Sequence, residues 1–484
     1  MRVSSRIGSF LAILAVVFAA ILIFPRKSQA IPAFARQYKT SCTTCHSDFP
    51  KLNDFGKAFK DHGFMFPMDD ETFIKEPPVM LGAPAQKQLW PHTVWPGTMP
   101  GSIPLGFRYN TFFQVTGRKA NRLNSALTAL NNGGPGFVPE SFVPRTEFQT
   151  GLLSIFTAGN FGSDIAFWVD DDLSVAGSGA DGGLGDGYLK FVNIGRFLKL
   201  PKDSLSLRVG QFELDLPFSQ ARSYNLSGWD IYEQAQVGNP AFVNNGFVFS
   251  EPGRGVELSG GHSYGGYHYS VAIVNQNTTG VTDPGTFAPA ASAFFSDANF
   301  KDFYGRFAYR FNLERDRESR NAIQAAGASG PRDHTYLTFG TFYFYGRSVQ
   351  RTRGFVPGNV DPVVLTAREP FYRVGGDFNF NYRNFNLYGL FMHGHDHGLL
   401  FDVNSPTGLI QGPPVTFSGG FLQADYMPLP WIMTIMRYDT VNSTSDRLNA
   451  LSSFGPARAT RNRFTPGVQF LVRANIKALF EYQI

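Results

Sequence analysis

From Leu105 to the C-terminus the sequence alternates. Phe303, Phe307, Tyr309, Phe311 and Leu313 stand on one parity, and Tyr304, Arg306, Ala308, Arg310 and Asn312 on the other. Val374, Gly376, Phe378, Phe380 and Tyr382 alternate with Arg373, Gly375, Asp377, Asn379 and Asn381. At the end Val468, Phe470, Val472, Ile476, Ala478, Phe480, Tyr482 and Ile484 share a parity that excludes Gln469, Arg473, Asn475, Lys477, Glu481 and Gln483. A period of two sends successive side chains to opposite faces of a strand. Here one face is aromatic and the other charged, the pattern of strands with lipid on one side and a wet lumen on the other. Further strands are expected near 107–116, 147–157, 162–169, 187–193, 204–212, 254–261, 267–274, 334–345, 385–393, 416–426 and 431–440, separated by loops such as 129–139, 176–187, 276–290 and 357–363. The fold class expected is mainly β, a large antiparallel transmembrane β-barrel of about 14–16 strands over residues 105–484. Its last strand, after a tight turn near Ala474-Asn475, is expected to close against the first. A soluble β-sandwich array is the rival, and it would carry fewer aromatics and apolar inward faces.

Composition sharpens this. Charged residues are 17% of the 484 and aromatics 15%, with 49 Phe, 19 Tyr and 51 Gly; an ordinary soluble domain is about a quarter charged. The net charge of +5 is small for the length and no basic block is dense enough to argue for nucleic acid. The partner surface the strands imply is outer-membrane lipid.

The N-terminus reads as an export signal over residues 1–30: Arg2 and Arg6, then an uncharged apolar run from Gly8 to Phe24, then Ser28-Gln29-Ala30 as the cleavage site with Ala33-Phe34-Ala35 as its rival. An uncleaved helical anchor is the alternative. Next comes Cys42-Thr43-Thr44-Cys45-His46, which uses both cysteines of the chain. This spacing is the attachment signature of a c-type haem, with two thioethers from Cys42 and Cys45 and His46 as the proximal ligand of the iron. The ordinary reading is a chance CxxCH or a redox CxxC beside an unrelated histidine. Leu52, Phe55 and Phe59 then fall on one helical face, with Pro50 suited to the first turn and Gly63 to the position past the last. That face either covers a haem or packs on the barrel. For the distal ligand the sequence offers Met65, with Met68, His62 and Met80 as rivals. Methionine would raise the haem potential relative to bis-histidine ligation.

The stretches Pro32-Ala33-Phe34-Ala35-Arg36-Gln37, Cys42-Thr43-Thr44-Cys45-His46 and Leu52-Asn53-Asp54-Phe55-Gly56-Lys57-Ala58-Phe59 resemble the fused monohaem cytochrome–porins of bacterial outer membranes, whose best-known members are ferrous iron oxidases. The specific resemblance covers residues 31–66, and it departs at Tyr38-Lys39, where familiar members carry Thr-Gly. It implies a monohaem segment over 31–76, one covalent haem c, and an Fe(II):cytochrome c oxidoreductase. Such an enzyme would take electrons from extracellular Fe(II) and give them to a periplasmic c-type cytochrome. Alternatives are an outward conduit to extracellular acceptors and a passive porin with a haem-bearing plug.

Residues 77–104, with Pro77, Pro78, Pro84, Pro91, Pro96, Pro100 and Pro104, read as an extended linker, since proline is excluded from helix interiors and central strands. His393-Gly394-His395-Asp396-His397 places three imidazoles on one side of a strand, either as metal ligands or, more simply, as a polar strand end. Asp170-Asp171-Asp172 with Asp181 and Asp186 reads as a solvated acidic loop that matches no calcium-loop spacing. No nucleophile elbow, phosphate loop or dinucleotide fingerprint is present.

Overall fold

The computed structural model describes residues 33–38, 40, 44–48, 51–66, 79–80, 84–89, 91–92, 98–99, 105–115, 146–162, 164–173, 183–220, 223–234, 249, 252–275, 277–278, 294–295, 300–313, 335–354, 363–397, 399–401, 409–411, 414–444, 459–473 and 476–484. The expected signal segment lies outside them, and no helix among them is long and apolar enough to cross a membrane.

The dominant element is one sheet of fifteen strands in chain order. They are β1 (Leu105–Val115), β2 (Thr146–Phe161), β3 (Ile165–Leu173), β4 (Gly183–Phe191), β5 (Ser206–Phe212), β6 (Gly253–Gly261), β7 (Gly266–Asn275), β8 (Asp302–Asn312), β9 (Tyr336–Gly354), β10 (Val363–Tyr382), β11 (Phe385–Asp396), β12 (Val415–Leu429), β13 (Ile432–Ser443), β14 (Ala459–Arg473) and β15 (Ile476–Glu481). Each is antiparallel to its chain neighbours. Beyond β15, Ile484 and Phe464 still exchange backbone hydrogen bonds. The count falls within the sequence expectation. The expected closure of last strand on first does not appear as a ladder among the described residues. Among the described strands β1 and β15 run in the same direction, so a ladder between these two would be parallel.

The two faces differ as the alternation requires. On β8, Phe303, Phe307, Tyr309 and Phe311 are exposed, whereas Tyr304, Arg306, Ala308 and Arg310 are buried. The buried face carries charge in pairs. Arg306 meets Asp377 at 2.6 Å, Arg373 meets Asp396 at 2.9 Å, Arg208 meets Glu257 at 2.5 Å and Arg437 meets Asp439 at 2.8 Å.

What buries this face is the chain itself. The segment between β5 and β6 enters the lumen, and Trp229, Ile231, Tyr232 and Phe249 pack among inward-facing Tyr304, Phe342, Phe344, Phe371, Phe417 and Phe421. Trp229 stacks on Phe421 at 4.7 Å and Phe218 meets Tyr388 at 4.8 Å. The Glu481 carboxylate accepts from the backbone N–H of Leu226 and from the Ser227 hydroxyl, and Arg463 reaches Asp230 at 2.6 Å.

One end of the sheet has short connections, 162–164, 262–265, 383–384, 430–431 and 474–475, with 192–205 and 313–335 longer. The other has mostly longer ones, including 116–145, 213–252, 276–301, 397–414 and 444–458. The N-terminal segment sits at the short-turn end. The expected extended linker proves partly folded: Pro84–Leu89 is a short helix and Val79–Met80 pairs with Thr98–Met99. Pro84 is tolerated because a first helical residue needs no N–H partner.

Removing one partner of a buried pair strands the other charge, at about 3–5 kcal/mol. Arg306→Met is therefore expected to lower stability to denaturant by that order, and Arg306→Met with Asp377→Leu to recover much of it. Equal stability of the single and double variants would contradict this.

Candidate functional site

The helix of the N-terminal segment is Asp54–Asp61, capped by Asn53, whose side chain accepts from Gly56 N at 2.8 Å. It begins after Asn53, not at Pro50 as expected from proline preference, because Asn53 offers the better cap. The other end of the same amide donates to the Thr44 carbonyl at 2.9 Å, and Asn53 N donates to the Cys45 carbonyl at 3.0 Å. His46 pairs with Leu52 in a two-strand ladder. A Cβ on Gly56 would overlap the Cys45 carbonyl. Asn53 and Gly56 are thus the groove into which the Thr44-Cys45-His46 turn is pressed. Sequence reasoning read them only as part of a resemblance, although an Asn three residues before a Gly at a helix start is itself a capping signal.

Cys45, like His46, is half-buried. Cys42 and Met68 lie outside the described residues, and Met80 falls in the short strand Val79–Met80. Met65 is half-buried between Phe64 and Phe66, just past a helix end turned by Gly63 (φ 72°) and Phe64 (φ 61°). His62 is buried with both ring nitrogens occupied: Nδ1 donates to the Ala58 carbonyl at 2.8 Å and Nε2 lies 3.1 Å from Asp203. Burial opposes ionisation of Asp203, but the hydrogen bond and charge from His62 hold its carboxyl below the usual range.

The apolar face of the helix packs on the wall. Phe59, Phe64, Phe66 and Tyr38 form one cluster with Ala158, Ala166 and Val192 of the β2–β4 region. Tyr38 stacks on Phe66 at 4.1 Å, Phe34 stacks on Phe64 at 5.2 Å, and Phe64 lies 5.7 Å from Trp168. Trp168 also touches the larger lumen cluster, so the two cores are continuous.

Polar latches surround this patch. Asp54 is held by both arms of Arg310 at 2.7 Å, Lys51 donates to Asn386, and Asp61 accepts from the Ser263 hydroxyl at 2.7 Å. Lys57 meets Asp54 at 3.6 Å with a quarter of its side chain still open. Its withdrawal from bulk water, then the Arg310 guanidinium, lowers its ammonium to about 8 against the pull of Asp54. A cavity of about 320 Å³ separates the helix from the opposite wall, lined by Lys51, Lys57, Asp61, His268, Arg306 and Tyr388 among others.

The other sequence candidates resolve differently. The aspartates expected in a solvated loop lie in strands: Asp170 is in β3, accepting from Trp168 Nε1 at 2.7 Å and Asp186 N at 2.9 Å, and Asp186 is buried in β4, accepting from Glu213 N at 2.7 Å. Asp181 lies outside the described residues. On β11, Asp396 points inward to Arg373 while His393, His395 and His397 share the outward row.

Gly56→Ala is expected to force the Cys45 carbonyl out of its groove and to loosen the turn over residues 44–46. Asn53→Ala should weaken the helix start by about 1 kcal/mol. Hydrogen exchange over residues 44–66 checks both; wild-type protection in Gly56→Ala would contradict the anchoring role.

No family model matches the chain, and no curated protein matches it either. Among solved structures it is similar to Salmonella typhi OmpF in complex with daunomycin (TM-score 0.43, 11% identity, 79% of this chain and 90% of that one). It is also similar to OmpT, an outer membrane protein of Vibrio cholerae (TM-score 0.40, 7% identity, 76% and 80%), and to Acinetobacter baumannii OccAB2 (TM-score 0.34, 10% identity, 78% and 81%).

Proposed function

We propose that the chain is an outer-membrane β-barrel whose N-terminal segment carries one covalent haem c on Cys42 and Cys45, with His46 as proximal ligand. In this reading it passes electrons from extracellular Fe(II) to a periplasmic c-type cytochrome. The observation that carries it is the seating of the Cys45-His46 turn: it is locked into a helix start that is itself docked on the wall at the short-turn end. In bacterial barrels short turns face the periplasm and longer loops the exterior. The haem would then sit beside its soluble carrier.

The residues present fit the group by their chemistry. The Cys45 side chain and the His46 imidazole are adjacent and half-buried, the donor set that covalent haem c requires beside Cys42. When bound, haem c supplies one-electron exchange at iron. The chain's part is to hold His46 through the Leu52 ladder, to fix the turn through Asn53, and to keep water from the covered face with Phe34, Tyr38, Phe59, Phe64 and Phe66. Met65 is the distal ligand favoured here: it leaves the helix end between two buried phenylalanines, whereas the His62 nitrogens are engaged with Ala58 and Asp203.

Filling of the lumen by the cluster around Trp229, Tyr232 and Phe249 weighs against a passive porin. An outward conduit would use the same residues. The haem potential separates the two directions, a strongly negative value belonging to outward flow.

Anaerobic stopped-flow mixing of the oxidised holoprotein with Fe(II) should reduce the haem, read at the Soret and α bands; a haem that stays oxidised would end the oxidase reading. Met65→Ala should shift the spectrum of the oxidised protein, and an unchanged spectrum would remove Met65 as ligand.

A further inference from the structure

The outward row of β11 changes character along its length. Phe391 is 60% exposed, and its neighbours toward the turn end are Leu422 on β12 and Tyr438 on β13, both exposed and apolar. Beyond it the row turns polar: His393 pairs with Ser418, and His395 with Thr416 on one side and Tyr372 on the other. The change marks where the apolar belt stops, and the histidines stand just past it, toward the loop-bearing end.

Residues two apart on a strand project to the same side, about 6.7 Å from one another. The His395 and His397 rings lean closer than that, with centroids 5.7 Å apart and planes at 87°. Tyr372 lies flat against His395, 5.3 Å away and 4° from parallel, which fixes the orientation of that imidazole. His393 is differently placed, since its Nδ1 is 2.7 Å from the Ser418 hydroxyl. Among the described residues no three His, Cys, Asp or Glu side chains converge on one point, so a full protein cage is not available.

We propose that His395 and His397 form a two-imidazole chelate for a divalent first-row transition ion, with water filling the remaining positions. A metal–nitrogen bond is about 2.0–2.1 Å, so two rings on one ion stand with centroids close to the spacing seen here, and small side-chain rotations complete the bite. Imidazole prefers Cu(II), Ni(II) and Zn(II) over Mg(II) or Ca(II), and affinity should follow that order with Cu(II) strongest. The site is independent of the haem reading. It lies on the outer surface of the sheet, with His395 half-exposed and His397 exposed.

The test is titration of the tag-free, full-length holoprotein in detergent with Cu(II), Ni(II) and Mg(II), followed by calorimetry and, for Cu(II), by electron paramagnetic resonance. One Cu(II) is expected per chain with hyperfine coupling to two imidazole nitrogens, a weaker Ni(II) site, and no Mg(II) binding. H395A, H397A and the conservative pair H395Q/H397Q should each weaken Cu(II) by at least about tenfold, with H393A close to wild type. Unchanged affinity in H395Q/H397Q, or coupling to a single nitrogen, would overturn the proposal.

Discussion

The constraint on which everything else rests is the inversion of the sheet: its outward row is largely apolar, so its charges must face in, among the inward aromatics. A guanidinium or carboxylate withdrawn from water is tolerated only with a partner at close range. The inner wall meets this by pairing Arg306 with Asp377, Arg373 with Asp396 and Arg437 with Asp439, strand to strand or along one strand. Other inward charges also reach the segments that enter the lumen: Arg310 pairs with Asp54, and Arg463 pairs with Asp230 while lying 3.6 Å from Asp439 of the wall. The same bonds that neutralise the wall therefore hold the plug and the inward loop.

This explains how so small an N-terminal segment keeps a shape. Residues 33–66 have too little apolar surface for a core of their own. They borrow one, laying Phe59, Phe64 and Phe66 on Ala158, Ala166 and Val192. Small wall residues at these positions let the helix approach closely, and Gly63, placed against Val192 and Ala166, shows how tight that approach is. The Cys45-His46 turn inherits its rigidity from the wall through Asn53, so the turn and the sheet are mechanically one unit.

Strand parity was legible wherever lipid-facing aromatics alternate with charge, as on β8, β10 and β14, because each side chain reports its own face. It was less legible in β9 and β10 beyond 345 and before 371, where Arg347, Arg351 and Arg353 continue a ladder past the apolar belt and the alternation loses its aromatic member. The lumen segment was not readable: Trp229 looks like a loop residue until Phe421 of β12 is brought to it from a distant part of the chain, and Tyr232 until Phe249 of the same segment folds against it. At the site, Cys45 and His46 declared themselves by spacing. The role of Asn53 and Gly56 needed the fold, as did the occupation of His62 by Asp203, a partner 141 residues away in sequence that no local pattern announces.

The central claim is that this chain, embedded by its strands, carries a covalent porphyrin at one mouth. The direct measurement is alkaline pyridine haemochrome absorbance per mole of chain, on protein purified from the outer-membrane fraction of a host with c-type haem attachment machinery. One haem per chain that survives acid–acetone extraction is the predicted result; absence of bound porphyrin from the membrane-inserted protein would contradict the account.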